Sequence, residues 1–276
     1  MNNQNIVLNS SNYDSDRRLF SYKLPNPRRF MNSQVGLVSC VLYKQFDNIS
    51  SEYNNNTIQI KWLGVTYTLI IEDGYYTIEQ ISSEIDFFCF TNGLYYTSGN
   101  DSIFLINLAV IPSIYGAQFT VYGIPNASEA STASTANYEI PDGATWTFPE
   151  ERINPEITFN SNFGSLIGFS AGTYGQGNSK KKIKSDLVPA IEIVSALTIQ
   201  TNLINNHDVN PPSIISSMSL VGEYGSPLTK ESSQILYSNI SSNNFHEINV
   251  WFSNQNFNLL KIKDTQVIIH LSIIDL

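Results

Sequence analysis

Two neighbouring segments, TIQIKW (57–62) and TYTLII (66–71), alternate apolar and polar residues with a period of two, and Gly64 lies between them as a hairpin turn. That period is the strongest constraint on the chain. It sends successive side chains to opposite faces, so each segment is a strand with one face for a core and one for solvent. The same pattern, enriched in β-branched and aromatic residues and bounded by Asn, Gly, Pro and Ser clusters, recurs at 5–8, 19–24, 35–46, 94–97, 103–111 and 118–122. It resumes at 157–159, 190–203, 214–221, 248–253 and 267–274. Many short strands with polar turns point to an all-β sandwich or barrel. Long strands such as 35–46 favour large twisted sheets.

One segment departs from the period. In EDGYYTIEQISSEIDFFCFTNG (72–93), Thr77 is followed three residues later by Gln80, the spacing of a capping box. Ile78, Ile81, Ile85 and Phe88 then recur at helical spacing, and Asn92-Gly93 supplies a stop. The chain is therefore expected to carry one short amphipathic helix at about 77–90. With only one helix, parallel βαβ units are excluded, and the sheets are antiparallel. Two irregular stretches are read as loops: the Ala/Ser/Thr/Pro-rich segment 126–156, a long loop or small insertion, and the Gly- and Lys-rich segment 170–186. Residues 1–276 are otherwise expected to form a single domain.

Composition narrows the function. Charged residues are 14% of the 276, against about 25% in an ordinary globular chain. Neutral polar residues take their place and suit broad, wet protein contacts. The formal net charge is −9, so the chain as a whole repels nucleic acid. Its basic patches are Arg28-Arg29 and the run Lys180, Lys181, Lys182 and Lys184. The lysine run is a candidate contact for nucleic acid or a partner. Cys40 and Cys89 sit in apolar stretches and read as buried free thiols. The N-terminal stretch has neither the basic region nor the apolar run of a secretory leader, which predicts folding in a cytosol-like compartment. No apolar run is long enough to span a membrane as a helix.

Catalytic and metal motifs are missing. His207, His246 and His270 stand in no metal-ligand spacing, and His270, in VIIHLSII, reads as a satisfied structural histidine. There is no G-x-S-x-G elbow, and GTYGQG (172–177) lacks the glycine order of a phosphate loop. The pairs Glu72-Asp73 and Glu150-Glu151 are sequence neighbours, which a strand sends to opposite faces. No enzyme activity, cofactor or metal is predicted.

Longer segments carry a family resemblance. IVLNSSNYD (6–14), VGLVSCVLYKQFDNIS (35–50), the E-D-G-Y-Y-T stretch before the helix, NGLYY and IFLINL follow one another in the first half. FNSNFGSLIGFSAGTYG (159–175) and HEINVWFSNQNFNLLKIKDTQVIIHLSI (246–273), with a polar turn at Asn254-Gln255, follow in the second. Their order and spacing resemble the penton (minor capsid) proteins of virophages and polinton-like viruses. The resemblance implies a jelly-roll β-sandwich that forms a homopentamer at the five-fold vertices of an icosahedral virion. It implies a double jelly-roll major capsid protein as partner, a weak genome contact at most, and assembly in the host cytoplasm. On that reading the helix closes one end of the sandwich, the two irregular loops lie at its rim, and the first dozen residues are partly mobile. The competing reading is a stand-alone β-sandwich that binds a carbohydrate or host receptor, with Tyr75-Tyr76 and Tyr95-Tyr96 near turns as stacking surfaces.

Overall fold

The first and last strands of the chain pair with each other. In a computed structural model, which describes residues 3–132 and 138–276, Asn3–Asn9 runs antiparallel to Ile268–Asp275. The chain divides into two compact units, Met1–Phe46 with Val194–Leu276, and Asp47–Ile193. Each has its own hydrophobic core. The sequence reading expects one domain with a loop or small insertion at about 126–156. The inserted segment is instead the whole of Asp47–Ile193.

The first unit has eight principal strands: β1 (Asn3–Asn9), β2 (Leu19–Arg29), β3 (Ser33–Tyr43), β4 (Ala196–Thr201), β5 (Ile214–Ser219), β6 (Pro227–Glu231), β7 (Asn244–Ser253) and β8 (Ile268–Asp275). One sheet has the order β1-β8-β3-β6 and the other β5-β4-β7-β2, with every pairing antiparallel. Short strands extend both: Ser238–Asn239 pairs with β3, and Tyr13–Asp14 with β2. Eight antiparallel strands shared between two sheets in this order make a jelly roll.

Burial follows the side-chain period. On β7, Ile248, Val250 and Phe252 point inward, and on β8, Ile269, Leu271 and Ile273 do. Sequestering a side chain such as Phe252 contributes about 1.5–3 kcal/mol. On β3 the buried positions are Val35 and Leu37, then Cys40 and Leu42. The phase changes from odd to even because the β3–β8 register shifts there, with His270 opposite Ser39 and Leu271 opposite Leu37. A bulge at Val38 thus keeps the whole strand facing one core. Pro25 and Pro27 of β2 fall at another shift, where Arg28 pairs with Phe245 and Lys23 with Glu247. Proline has no N–H for a sheet ladder, so it belongs where the ladder is interrupted. The first dozen residues, expected to be partly mobile, include β1 and the 3-10 turn Ser10–Asn12. Residues 1–2 lie outside the described residues.

The second unit contains three helices among its described residues: α1 (Ile78–Thr91), α2 (Ala127–Thr132) and α3 (Ser161–Ile167). Its largest sheet has the order Gly172–Tyr174, Glu156–Phe159, Thr57–Trp62, Val65–Ile70. The hairpin joining the last two turns through Leu63 and Gly64, at φ 45° and 86°. Two consecutive left-handed residues match the twist of the flanking strands. A three-stranded sheet has the order Lys181–Lys184, Gly116–Val121, Ile106–Ile111, and a smaller one joins Tyr138–Glu139, Tyr96–Ser98 and Asp101–Ile103.

Segment 159–175 forms the strand end at Phe159, then α3, then Gly172–Tyr174. Asn160 caps α3 by accepting from the Phe163 N–H at 2.9 Å, and Gly168, at φ 85°, ends it. Phe119 packs ring to ring with Phe159 and Phe169, while Phe163 and Tyr174 pack against Phe159. Gly164 is required by that packing, since a Cβ there would lie 2.4 Å from the Phe169 carbonyl oxygen. The other irregular segment is anchored in part. Trp146 is buried against Trp62 at 5.3 Å, and Arg152 pairs with Glu129 at 3.0 Å. The Ala/Ser/Thr tract runs into residues 133–137, which lie outside the described residues.

Candidate interaction surfaces

The capping residues close the start of α1. The Thr77 hydroxyl oxygen accepts from the Gln80 N–H at 3.3 Å, and the Gln80 side-chain oxygen accepts from the Thr77 N–H at 2.8 Å. At the other end the N–H groups of Gly93 and Leu94 donate to the carbonyls of Phe90 and Cys89. Gly93, at φ 65°, permits that reversal. Ile78, Ile81 and Ile85 are buried, and Phe88 packs beside them. All four belong to the core of the second unit, so the helix is not the jelly-roll closure that the resemblance implies. Its buried Ser82 hydroxyl accepts from the Leu108 N–H at 3.1 Å, tying α1 to the strand Ile106–Ile111.

The lysine run is not a loop. Lys181–Lys184 is an edge strand paired with Gly116–Val121. Ile183 packs toward the core, while Lys180, Lys181, Lys182 and Lys184 are exposed. Lys182 and Lys184 stand opposite Thr120 and Gln118, and the Lys180 ammonium lies 4.6 Å from the Tyr122 ring centroid. Four cations thus stand within five residues on one exposed edge of an acidic chain.

An apolar surface lies beside the start of α1. A cleft of about 310 Å³ is lined by Ile78, Val110, Tyr115, Val188, Pro189 and Ile191. Tyr115 is 82% exposed and Val188 70%. Tyr115 is also left-handed, at φ 48°. A bulky residue rarely adopts that conformation, which costs on the order of 1–2 kcal/mol. Nothing in the sequence of this segment signals it.

The aromatic pairs read as stacking surfaces are largely taken up in packing. Tyr95 is buried, and Tyr76 and Tyr96 pack against the core. The Tyr75 hydroxyl donates to Glu192 at 2.7 Å, and burial followed by that bond pushes its pKa up to about 12. His207 and His246 are exposed. His270 is half-buried, and its Nε2 has no hydrogen-bond partner, so the expected satisfied histidine is unsatisfied at that atom. Cys40 and Cys89 are buried free thiols, both pushed up to about 12 by desolvation. Among the described residues no group of three or more His, Cys, Asp or Glu side chains is placed to hold a metal ion, and no helix is long and apolar enough to cross a membrane.

No protein-family model matches the chain, and no curated protein does. Solved structures align with it over nearly its full length. The selenomethionine-labelled mavirus penton protein aligns over 99% of this chain and 97% of its own, at 10% identity and a TM-score of 0.42. The cryo-EM structure of the Sputnik virophage aligns over the same shares of each chain, 99% and 97%, at 9% identity and a TM-score of 0.37. This chain is thus similar to a penton protein and to a virophage structure.

Proposed function

We propose that this chain is a structural capsid protein that forms the pentameric vertex capsomer, the penton, of an icosahedral virion and performs no catalysis. The observation that carries the proposal is the strand order of the first unit, β1-β8-β3-β6 facing β5-β4-β7-β2. Jelly rolls of this kind build viral shells, and the segments that resemble pentons in sequence run through both units. Fold alone does not specify function. The surface adds an argument, because few charges and clustered exposed apolar groups reduce the desolvation cost of protein contacts.

A closed five-membered ring uses heterologous contacts, in which one face of each subunit meets a different face of the next. The apolar surface around Tyr115 and Val188 is suited to one such face, since buried tyrosines commonly dominate interface energies. The ring would sit among double jelly-roll major capsid proteins, after assembly in the host cytoplasm. The exposed lysine strand would make a weak contact with the genome or with an acidic partner.

The test is native mass spectrometry of the 30.9 kDa chain together with cryo-electron microscopy of particles containing it. Five copies at each five-fold vertex are expected. Particles that carry the chain elsewhere, or lack it while remaining intact, overturn the proposal.

A further inference from the structure

Asp86 lies on α1, beside a cleft of about 440 Å³ in the second unit. Tyr96, Ser102, Phe104, Asn107 and Tyr122 line the cleft with it. One of its carboxylate oxygens, Oδ1, is buried and has no hydrogen-bond partner. Desolvation by burial pushes the carboxyl up to about 6. Even so, it is mostly ionised at neutral pH. A buried carboxylate oxygen without a donor is costly, and a group that supplies positive charge beside the half-buried carboxyl relieves that cost.

The surrounding rings favour the same kind of group. Aromatic faces are electron-rich and attract cations. Tyr122 already has the Lys180 ammonium 4.6 Å from its centroid. A neutral hydroxyl would satisfy the carboxylate oxygen but gain little from the rings, whereas an ammonium or guanidinium group gains from both. We propose that the Asp86 cleft is a binding site for an ammonium or guanidinium group, carried either by a lysine or arginine side chain of a partner or by a free alkylamine. The site stands on the geometry of the second unit and is independent of whether the chain assembles into rings.

The test uses the full chain with 13C-labelled aspartate, following the Asp86 carboxyl resonance by NMR. Butylammonium and an acetylated, amidated Gly-Lys-Gly peptide, which carries the same ammonium head group, are the two probes, with acetylated, amidated Gly-norleucine-Gly and glucose as neutral controls. Saturable shifts from the cations and none from the controls are expected. Tighter binding of the peptide assigns the site to a partner side chain, and tighter binding of butylammonium to a free amine. In Asp86→Asn, followed by backbone amide shifts, binding falls at least tenfold. In Tyr122→Leu it falls several-fold.

From pH 7 to pH 5, binding to the wild type weakens about tenfold as the carboxylate protonates. Tyr96 and Tyr122 line the cleft with Asp86, Cys89 lies within reach of its charge, Lys180 stands over Tyr122, and Tyr138, Arg152 and Glu129 act on Tyr96. Cys89 and Tyr96 are both raised by burial and remain protonated across that range. Equal cation binding by Asp86→Asn, no saturable cation shift at all, or equal responses to norleucine peptide and lysine peptide would each overturn the proposal. The wild-type comparison keeps it testable if a variant fails to fold.

Discussion

The indole N–H of Trp146 donates to the main-chain carbonyl of Gly93 across 2.6 Å. Gly93 is the residue at which α1 reverses, so one side chain ties the 126–156 segment to the end of the helix. The Trp146 ring also meets Trp62 and Phe148 edge-on. Trp146→Ala should destabilise the second unit by about 3–5 kcal/mol. Trp146→Phe keeps much of the packing and loses the hydrogen bond, at a cost of about 1 kcal/mol from the bond. Urea denaturation of both variants checks this ordering, and equal midpoints for the two would contradict it.

Because Ile85 belongs to the second core, its truncation should act locally. Ile85→Ala is expected to cost about 2–5 kcal/mol. Hydrogen exchange should rise at amides within Asp47–Ile193 and stay unchanged in β4 and β7 of the jelly roll. Uniform loss of protection along the chain would instead indicate one cooperative unit.

Glu247 links chain segments in the first unit and should make its stability depend on acid. Arg17 donates to it at 2.6 Å, Asn249 at 2.8 Å and Ser21 at 3.0 Å. These bonds, led by Arg17, hold the carboxyl down to about 2, against 4.5 for a free glutamate. A carboxyl lowered by folding contributes its stability above the unfolded value. That contribution declines as pH falls from about 4.5 to about 2. Glu247→Gln should therefore unfold at lower urea than the wild type at pH 7, with the gap closing near pH 2. A gap independent of pH would show that ionisation is not the source. Because the pair is partly exposed, the effect should be modest and smaller in high salt.

Tyr115 separates folding from assembly. Its left-handed backbone suits glycine better than tyrosine. Tyr115→Gly should fold at least as well as the wild type by thermal denaturation. If the surface beside α1 is a subunit contact, the same variant loses ring formation in native mass spectrometry. Retained rings would place the contact elsewhere on the chain.

How much of this was legible depended on whether side-chain pattern or main-chain pairing set each feature. Thr57–Trp62 was readable because its buried positions Ile58, Ile60 and Trp62 follow the two-residue period. The β3 strand was found, but its change of phase at Val38 was not, since the cause is the register with β8. Lys181–Lys184 looked like a loop because three of its four residues are lysines; its strand character comes from main-chain bonds to Gly116–Val121. The short helix α3 was missed although Asn160 and Gly168 mark its ends, and Gly164 interrupts what would otherwise be a clear helical segment. Two cores could not be told from one, because periodicity says that a residue is buried but not against which partners. The sequence signals of α1 were correct, yet a one-domain reading assigned the helix to the wrong core. The Asp86 cleft and the Tyr115 backbone depend on contacts distant in sequence and left no local trace.

Asn48 holds the two ends of the second unit together. Its side-chain amide donates to the carbonyls of Tyr76 at 2.8 Å and Ile191 at 3.2 Å. The segments that enter and leave the unit are therefore joined through this amide, and in chain order everything between them is a detour within one jelly-roll connection, β3 to β4. The second unit is thus set, like a cassette, between two successive strands of the sandwich, Ser33–Tyr43 and Ala196–Thr201.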